Sequence, residues 1–591
     1  MNTLLSLLSF KKKSNSEKII LISKISILSF LAVYFLSNFS PYFEGQDSYL
    51  YGLGSIGLSE GTFEKSNLLL SETGKYEFVP RQWVITESNT FVPSTSIGLM
   101  TIGSIFYSLF GHYGLFYLGP LSALSLLIIS ERVSTKLFGS VAGLVSLVLI
   151  STNLFIVRTG TDLLTGNIST IFLIIGFYFL FKFLKSPSGW SALILSSTLA
   201  FSAVIRISGL VFFPIEFILI IGFFIIRTYQ TKHESKFFSK IRSSISTRSF
   251  YYLLILSIPW IAFFAFQFSY NDYFFGDPLT KYVDVRIKMD SSISHNTEFS
   301  SILGSENNIL EKAEILSQYL LPYPFSGARD IESSFEDQLG KNWLGIPPII
   351  FLGIVILLSF LKKINRTDFL ITIVFSLSLI MFYSLVVGNI DPDRGVSGRY
   401  MIPSSVFSAF LFGIILQKFS ILKISSSRTK YIKFLIIALS IIFFIYAMNY
   451  VTPITDWINS DSKITNPIIH AERYPLDKEG LNDESIILNT MGNWVVDYDV
   501  IALHPFLGFS LKGEINETEF PERPILILLD LLETNHSVYT FKESSHIIEK
   551  KYLNYLVTNY DLILKEHSES FCKFELSSEQ NVQSDQICLK N

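Results

Sequence analysis

Charged side chains are scarce in this sequence. Asp, Glu, Lys and Arg make up 16% of the 591 residues, whereas ordinary soluble domains carry roughly a quarter. This shortage excludes a soluble globular protein as a description of the whole chain. Cys/His spacing of the zinc-site type is also missing, and no nucleic-acid partner is expected.

Cysteine is almost absent. The two cysteines are Cys572 and Cys588, both near the C-terminus. They could form one disulfide bond if that end lies in an oxidising compartment, or they could stay two unpaired thiols. The residues leave both alternatives open.

Apolar runs are abundant instead. Hydrophobic residues make up 49% of the chain and Phe alone takes 54 positions, and many runs approach the ~20 residues that cross a bilayer. We predict a polytopic α-helical membrane protein with about 11 spans. The predicted spans cover approximately residues 19–39, 113–129, 139–157, 169–183, 190–226 (two short crossings), 251–268, 344–361, 369–387, a segment ending near 418, and 434–450.

Basic residues orient these spans. Lys11, Lys12 and Lys13 precede the first span, which places the N-terminus in the cytoplasm. The first apolar run is long and no small-residue cleavage site follows it, so we interpret it as a span rather than a signal peptide. Residues 92–111 are interpreted as a helix in the outer interface, because every short basic loop then lies on one side. The chain is expected in the cell membrane or an endoplasmic-reticulum-type membrane.

Two domains are predicted. Residues 1–450 form the membrane domain, with external loops at 41–93 and 270–343. Residues 451–591 contain 23 acidic and 11 basic residues, which fits an external domain free of the positive-inside bias. Short β-type runs alternate there with helical ones, so we predict a small soluble α/β domain. No Gly-rich phosphate-binding motif marks it as a nucleotide site.

Charged residues gather at the predicted outer ends of the spans. These charges are Asp47, Arg158, Asp162, Arg206, Arg394 and Arg399. A carboxylate can take the proton of an acceptor hydroxyl as general base. Arginines can hold a phosphate and stabilise the charge that grows on it as it leaves. A lipid phosphate in the outer leaflet would lie at this level.

Several of these segments resemble one family of membrane enzymes, the GT-C glycosyltransferases. The segment around Asp47, GQDSYLYGLGSIGLSEG, resembles their first external loop, and residues 92–111 look like their juxtamembrane helix. Further matches are Arg158-Thr-Gly-Thr-Asp162, Arg206-Ile-Ser-Gly209, the loop at 273–282 and Arg399-Tyr400-Met-Ile-Pro403. The order of these matches is the one expected for protein mannosyltransferases and aminoarabinose transferases.

The resemblance implies an inverting glycosyltransferase that uses a polyprenyl- or dolichyl-phosphate-linked sugar on the external face. The acceptor would be a protein, a lipid or a glycan. The resemblance assigns the catalytic base to Asp47 and a second acidic position to Asp162. It assigns substrate binding to the remaining matched residues, which are Arg158, Arg206, Arg399 and Tyr400. Many members carry Asp-Glu in the first loop, whereas this chain has Asp47-Ser48, so the base acts without an adjacent carboxylate.

Metal dependence and function class stay open at this stage. Asp47 and Asp162 could share a divalent metal ion. Trp494-Val-Val-Asp497 is faintly similar to the signature of oligosaccharyltransferases, which move a whole glycan onto protein. A non-enzymatic transporter or flippase is another alternative, although we find no internal repeat of the kind common in transporters. A membrane scaffold that presents its external domain to partners is a third.

Overall fold

A computed structural model gives the architecture of the chain. It describes residues 15–38, 46–79, 83–231, 247–280, 402–420, 431–449, 522–541, 547–560, 562–567 and 571–576, together with the shorter pieces 282, 284–285, 288–289, 481, 485–488 and 501–503. The predicted spans at 344–361 and 369–387 lie outside these residues, as do Arg394, Arg399, Tyr400 and the Trp494 motif.

Helices make up most of the described chain. Their bounds are α1 Asn15–Ser37, α2 Gln46–Glu60, α3 Leu68–Thr73, α4 Gly98–Phe110, α5 His112–Phe138, α6 Ser140–Ser151, α7 Leu154–Thr159, α8 Thr165–Lys185, α9 Gly189–Ile205, α10 Phe212–Thr231, α11 Thr247–Phe275, α12 Ile402–Phe419, α13 Tyr431–Asn449, α14 Glu522–Glu533 and α15 Ile547–Asn559. The strands are β1 Trp83–Ile85, β2 Phe91–Pro93, β3 Ile486–Leu488, β4 Ile501–Leu503, β5 Val538–Phe541, β6 Leu562–Glu566 and β7 Phe571–Leu576.

Five of the described helices, α1, α5, α8, α11 and α13, are long and apolar enough to cross a membrane. Shorter apolar helices include α6, α9 and α12. The chain is therefore an integral membrane protein, as predicted, and it carries a small C-terminal sheet. The total of about 11 spans stays a prediction.

The predicted break at residues 206–209 is present. Helix α9 ends at Ile205, a 3-10 turn covers Ile207–Val211, and α10 begins at Phe212. Gly209 allows this turn, because a Cβ at that position would lie 2.7 Å from the backbone nitrogen of Ala203. The turn therefore folds tightly back onto the end of α9.

The chain divides into two compact units. The first unit comprises Met1–Phe39, Tyr117–Phe264 and Ser300–Trp457, and the second comprises Ser40–Phe116, Ala265–Phe299 and Ile458–Asn591. Each unit is thus assembled from three stretches of sequence. The predicted division into residues 1–450 and 451–591 stays a prediction.

A buried ion pair crosses the helices of the first unit. The Nζ atom of Lys24 in α1 lies 2.7 Å from Oε1 of Glu131 in α5, and both side chains are less than a tenth exposed. Thr135 donates its hydroxyl to the same Glu131 oxygen and accepts a hydrogen bond from Lys24. Gly143 of α6 approaches this group closely. Since charges inside a membrane bundle are costly unless paired, this contact fixes how α1, α5 and α6 meet.

Helix α12 packs tightly against α6 in the same unit. A Cβ on Gly413 would lie 2.8 Å from the carbonyl oxygen of Ala142, so only glycine permits this approach. The amide oxygen of Gln417 accepts the N–H groups of Val141 and Ala142, at 3.0 and 3.2 Å. A side chain from α12 therefore caps the beginning of α6.

Small residues let α2 and α4 pack closely in the second unit. A Cβ on Gly54 would lie 2.2 Å from the sulfur of Met100, and a Cβ on Gly103 would lie 2.2 Å from Oγ of Ser55. The helix predicted to span residues 92–111 begins only at Gly98. Residues 92 and 93, predicted as the start of that helix, instead belong to β2, where Val92 pairs with Val84. Pro93 disfavours helical backbone at Val92, the residue before it. The interfacial position of α4 stays a prediction.

The C-terminal part of the second unit is the predicted α/β layer. Its five strands are ordered β4-β3-β5-β7-β6, with β3 parallel to β4 and β5 and β7 antiparallel to β5 and β6. Strand β4 contacts the 3-10 turn Tyr76–Phe78 of the first loop. Cys572 in β7 is disulfide-bonded; the sequence has one other cysteine, Cys588, beyond the described residues.

Candidate functional site

Residues 152–167, here called the polar segment, bury an unusual number of polar side chains in the first unit. The buried members are Thr152, Asn153, Thr159, Thr161, Asp162, Thr165 and Asn167. They follow the end of α6 and reach into the first turn of α8, and both of these helices are strongly apolar. Burying polar groups costs free energy unless they are hydrogen-bonded, so such a concentration in a membrane protein indicates a functional region.

Asp162 lies in the middle of the polar segment. Its side chain is only 9% exposed, and Oδ1 accepts the N–H of Leu163 at 2.7 Å. The backbone here lies against α5, since a Cβ on Gly119 would be 2.5 Å from the carbonyl oxygen of Asp162. Gly160 fits similarly between Phe35 and Ala123. The two glycines therefore let the polar segment sit deep among the helices.

Helix α8 begins within the polar segment without a side-chain cap. Its N-cap residue, Leu164, is extended and has no polar side chain to offer. Asn167, the third helical residue, is fully buried. Among the described residues, neither polar atom of its amide group has a hydrogen-bond partner. An uncapped helix start is electropositive, because the first N–H groups lack intrahelical acceptors and the helix dipole points that way.

Arg206 lies at the same end of the bundle as Asp162. Helices α8 and α9 form an antiparallel hairpin in which Oγ of Ser169 is 3.0 Å from Oγ of Ser202. Residues before Ser169 and after Ser202 therefore share one end. Arg206 is the C-cap of α9, is half-buried, and donates its N–H to the carbonyl of Ser202. The structure thus brings two of the predicted site residues to one end of a helical hairpin.

The other predicted residues are placed less completely. Asp47 is the second residue of α2 in the second unit, and Arg158 lies in α7 of the first unit; the side chains of both fall outside the described part of the chain. Arg399 and Tyr400 lie outside it altogether. The roles assigned to all six residues stay predictions.

Helix α2 is held firmly where it meets α4. The Tyr51 hydroxyl is 3.1 Å from that of Thr95, and Tyr107 donates to Glu60 at 2.9 Å. Together with the close approach at Gly54, these contacts fix the helix whose first turn carries Asp47. Gly54 of the sequence motif therefore serves helix packing.

The loop after α11 holds the carboxylate of Asp277 in a fixed orientation through two hydrogen bonds. Oδ1 of Asp277 accepts the N–H of Leu279 at 3.0 Å, and Oδ2 accepts the hydroxyl of Thr280 at 2.8 Å. These hydrogen bonds, the backbone one first, lower the pKa of Asp277. Asn271 donates to the carbonyl of Pro278 at 3.0 Å, which ties the loop to the helix end.

Metal binding is not indicated by the described residues. In this part of the chain, no three His, Cys, Asp or Glu side chains lie close enough together to hold a metal ion. Because the Asp47 side chain is outside this part, the divalent ion shared by Asp47 and Asp162 stays an expectation.

Two buried polar residues escaped sequence reasoning. Asn167 was placed in the flank of a span predicted to begin at 169. Glu216 in α10 was hidden in the apolar run 190–226; it is buried and accepts a hydrogen bond from Nε1 of Trp260 at 2.8 Å. A lone polar residue inside an apolar run was the available signal for Glu216. Its contact with Trp260 joins α10 to α11.

Comparisons with known proteins concern the fold. No protein-family model and no curated protein match the sequence. ArnT from Cupriavidus metallidurans in the apo state is similar with a TM-score of 0.50 and 11% identity, over 95% of this chain and 99% of ArnT. The same ArnT bound to undecaprenyl phosphate gives 0.49 and 10%, over the same shares.

A third solved structure is the oligosaccharyltransferase AglB from Archaeoglobus fulgidus, in complex with an inhibitory peptide and a dolichol-phosphate. It gives a TM-score of 0.47 and 12% identity, over 95% of this chain and 75% of AglB. The similarity to apo ArnT shows that this chain has the ArnT fold. The fold predicted from the GT-C resemblance is thereby confirmed.

Proposed function

We propose that this chain is an inverting glycosyltransferase that moves a sugar from a polyprenyl-phosphate-linked donor to an acceptor on the external face of the membrane. The observation that carries the proposal is the buried polar segment around Asp162, set at the end of apolar helices in a chain with the ArnT fold. ArnT itself has been captured with undecaprenyl phosphate. A donor of this class would present its phosphate at the end of the spans.

The reaction needs one proton acceptor and several phosphate-binding groups. Asp47 takes the proton of the acceptor hydroxyl as its oxygen bonds to the anomeric carbon. The bond from that carbon to the phosphate oxygen breaks at the same time, and polyprenyl phosphate leaves with the electron pair. Arg399, assisted by Arg158 or Arg206, stabilises the leaving phosphate, and Tyr400, the next residue in the sequence, contributes to substrate binding. Asp162 serves as the second acidic residue of the site.

The proposed topology places the C-terminal domain outside the cytoplasm. The disulfide bond of Cys572 supports this orientation, because disulfides persist in oxidising compartments. The basic loops support it as well. Residues 451–591 would then face the same side as the loop that carries Asp47, and they would select or position the acceptor, whose identity as protein, lipid or glycan is open.

Replacing Asp47 by asparagine tests the proposal. Membranes that contain the wild type should transfer radiolabelled sugar from polyprenyl-phosphate donors. The Asp47→Asn variant should transfer it about 10²–10⁴-fold more slowly, since a general base contributes that factor. Glu60→Gln is the matched control, because it removes an acidic group at the opposite end of the same helix. Equal transfer by wild type and Asp47→Asn would remove Asp47 from the role of base, and no transfer from any such donor would remove the enzyme class.

A further inference from the structure

We infer that the first turn of α8, together with the amide group of Asn167, binds the phosphate group of the lipid-linked donor. This inference rests on the proposed function, because it names where that donor is held. The residues concerned are Thr165, Gly166 and Asn167, here called the α8 start. None of them belongs to the motifs that carry the GT-C resemblance.

The backbone of the α8 start is suited to an anion. Helix α8 is 21 residues long, and its N-cap residue Leu164 offers no side-chain acceptor. The N–H groups of the first helical turn have no acceptor within the helix, and the helix dipole adds partial positive charge there. Phosphate groups are bound at such helix starts through these N–H groups.

Asn167 provides the second, independent observation. Its side chain is fully buried, and in the described part of the chain both its Oδ1 and Nδ2 atoms lack a hydrogen-bond partner. In a helix the Cα–Cβ bond tilts toward the N-terminus, so this amide group lies over the first turn of α8. Buried amide groups are nearly always hydrogen-bonded in folded proteins, so an unsatisfied one indicates that something else binds there.

The chemistry of the surrounding groups favours a phosphate that carries a sugar. Nδ2 of Asn167 and the backbone N–H groups are donors, which a phosphate oxygen would accept. Arg206 lies at the same end of the α8–α9 hairpin and adds positive charge. The Asp162 carboxylate, which accepts the N–H of Leu163, lies in the same polar segment and brings an acceptor group near the start of α8.

A proline scan at the helix start separates this role from a structural one. Proline is well tolerated as the first helical residue, and Leu164 is extended, as a residue before proline should be. Thr165→Pro therefore removes one N–H donor and leaves the helix intact. Thr165→Val removes only the hydroxyl and retains the N–H. Gly189→Pro places proline at the first residue of α9, at the other end of the hairpin, and serves as the control for proline itself.

Native mass spectrometry of the full chain in detergent measures the binding directly. The probes are undecaprenyl phosphate, undecaprenol and inorganic phosphate. Undecaprenyl phosphate should bind more tightly than undecaprenol, and inorganic phosphate should compete only weakly if the lipid chain contributes. Thr165→Pro should bind undecaprenyl phosphate about tenfold more weakly than Thr165→Val, the loss expected for a hydrogen bond to a charged group. Gly189→Pro should bind like the wild type.

Asn167→Asp gives a second test, in which lipid binding and stability are expected to respond differently. A buried carboxylate is costly unless it is hydrogen-bonded, but an aspartate in the first turn can accept the first N–H groups of α8 and is favourable for the helix dipole. Its charge repels a phosphate. The variant should lose undecaprenyl phosphate binding while its thermal unfolding stays near that of the wild type. A merely structural Asn167 would leave lipid binding unchanged.

Each outcome decides the inference separately from the proposed function. Equal affinities of Thr165→Pro and Thr165→Val for undecaprenyl phosphate would overturn the inference and leave water as the occupant of the α8 start. A wild type that binds neither undecaprenyl phosphate nor undecaprenol would overturn it as well. Sugar transfer that depends on Asp47, together with equal affinities, would retain the proposed function and remove the phosphate site. Weakened binding in Thr165→Pro without any sugar transfer would retain the phosphate site and remove the proposed function.

Discussion

Gly119→Ala should reduce catalysis far more than it reduces stability. The new methyl group would lie 2.5 Å from the carbonyl oxygen of Asp162, and this separation must lengthen by about 0.9 Å to reach the 3.4 Å at which ordinary contact begins. Overpacking of this kind costs about 1–3 kcal/mol. Alanine gains no helix propensity here, because Pro120 follows within α5 and a Cβ before proline disfavours helical backbone. A loss of this size still leaves nearly all of the protein folded, since native proteins are stable by about 5–15 kcal/mol.

The effect on the site should be large by comparison. A displacement of about 1 Å in a reacting or positioning group can cost about 100-fold in rate, so transfer by Gly119→Ala should fall by about that factor. Gly222→Ala in α10 is the matched control, because no atom outside its own helix lies within 4 Å of the added carbon. Turnover is measured in membranes, and folding is checked by thermal unfolding monitored by size-exclusion chromatography. Wild-type turnover in Gly119→Ala would refute the link between this contact and the position of Asp162.

Two further predictions concern charged groups away from the site. Lys24→Met should lower the free energy of unfolding by up to about 3–5 kcal/mol. Glu131 is then left buried with only the half-exposed Arg132, 3.6 Å away, and the Thr135 hydroxyl as partners. Adding Glu131→Leu should recover most of that loss; SDS unfolding curves measure both, and equal destabilisation by the single and double changes would contradict the pairing. The pKa of Asp277 should lie below the ordinary value of about 3.9. The hydrogen bonds that its carboxylate accepts should therefore stabilise the loop above about pH 4, and this stabilisation should be lost as the pH falls through the lowered pKa. The ¹³C chemical shift of the carboxyl group, assigned with Asp277→Asn, measures the pKa, and a titration midpoint at the ordinary value would contradict the prediction.

Local pattern was enough to predict much of the fold. Long apolar runs predicted α1 and α8 to within about one turn at each end, because a span needs a fixed length of apolar residues. The starts of α5 and α11 were predicted equally well, but these helices extend to Phe138 and Phe275, beyond the predicted ends at 129 and 268. One of the β-type runs of the C-terminal domain covers residues 571–576, and strand β7 has the same bounds. The break between α9 and α10 was predictable because an arginine and a glycine interrupt an otherwise apolar run.

Pairing across the sequence was not predictable. Lys24 and Glu131 are 107 residues apart, and nothing local to either residue identifies the other as its partner. The strand β2 was missed because Val92 pairs with Val84 through backbone hydrogen bonds that a propensity argument does not contain. Asp162 was a candidate site residue from its motif alone, whereas Asn167 became a candidate only through its burial and its unsatisfied amide group.

The contact between β4 and the 3-10 turn Tyr76–Phe78 has a consequence for biosynthesis. The ribosome makes residues 40–116 early and residues 458–591 last, yet both belong to the second unit. The loop that carries Asp47 is therefore synthesised before its packing partner. It can complete this contact only after the intervening spans have been inserted into the membrane and the C-terminal residues have been made. A nascent chain that stops before β4 should expose this loop to quality-control proteases, and completion of translation should coincide with its protection.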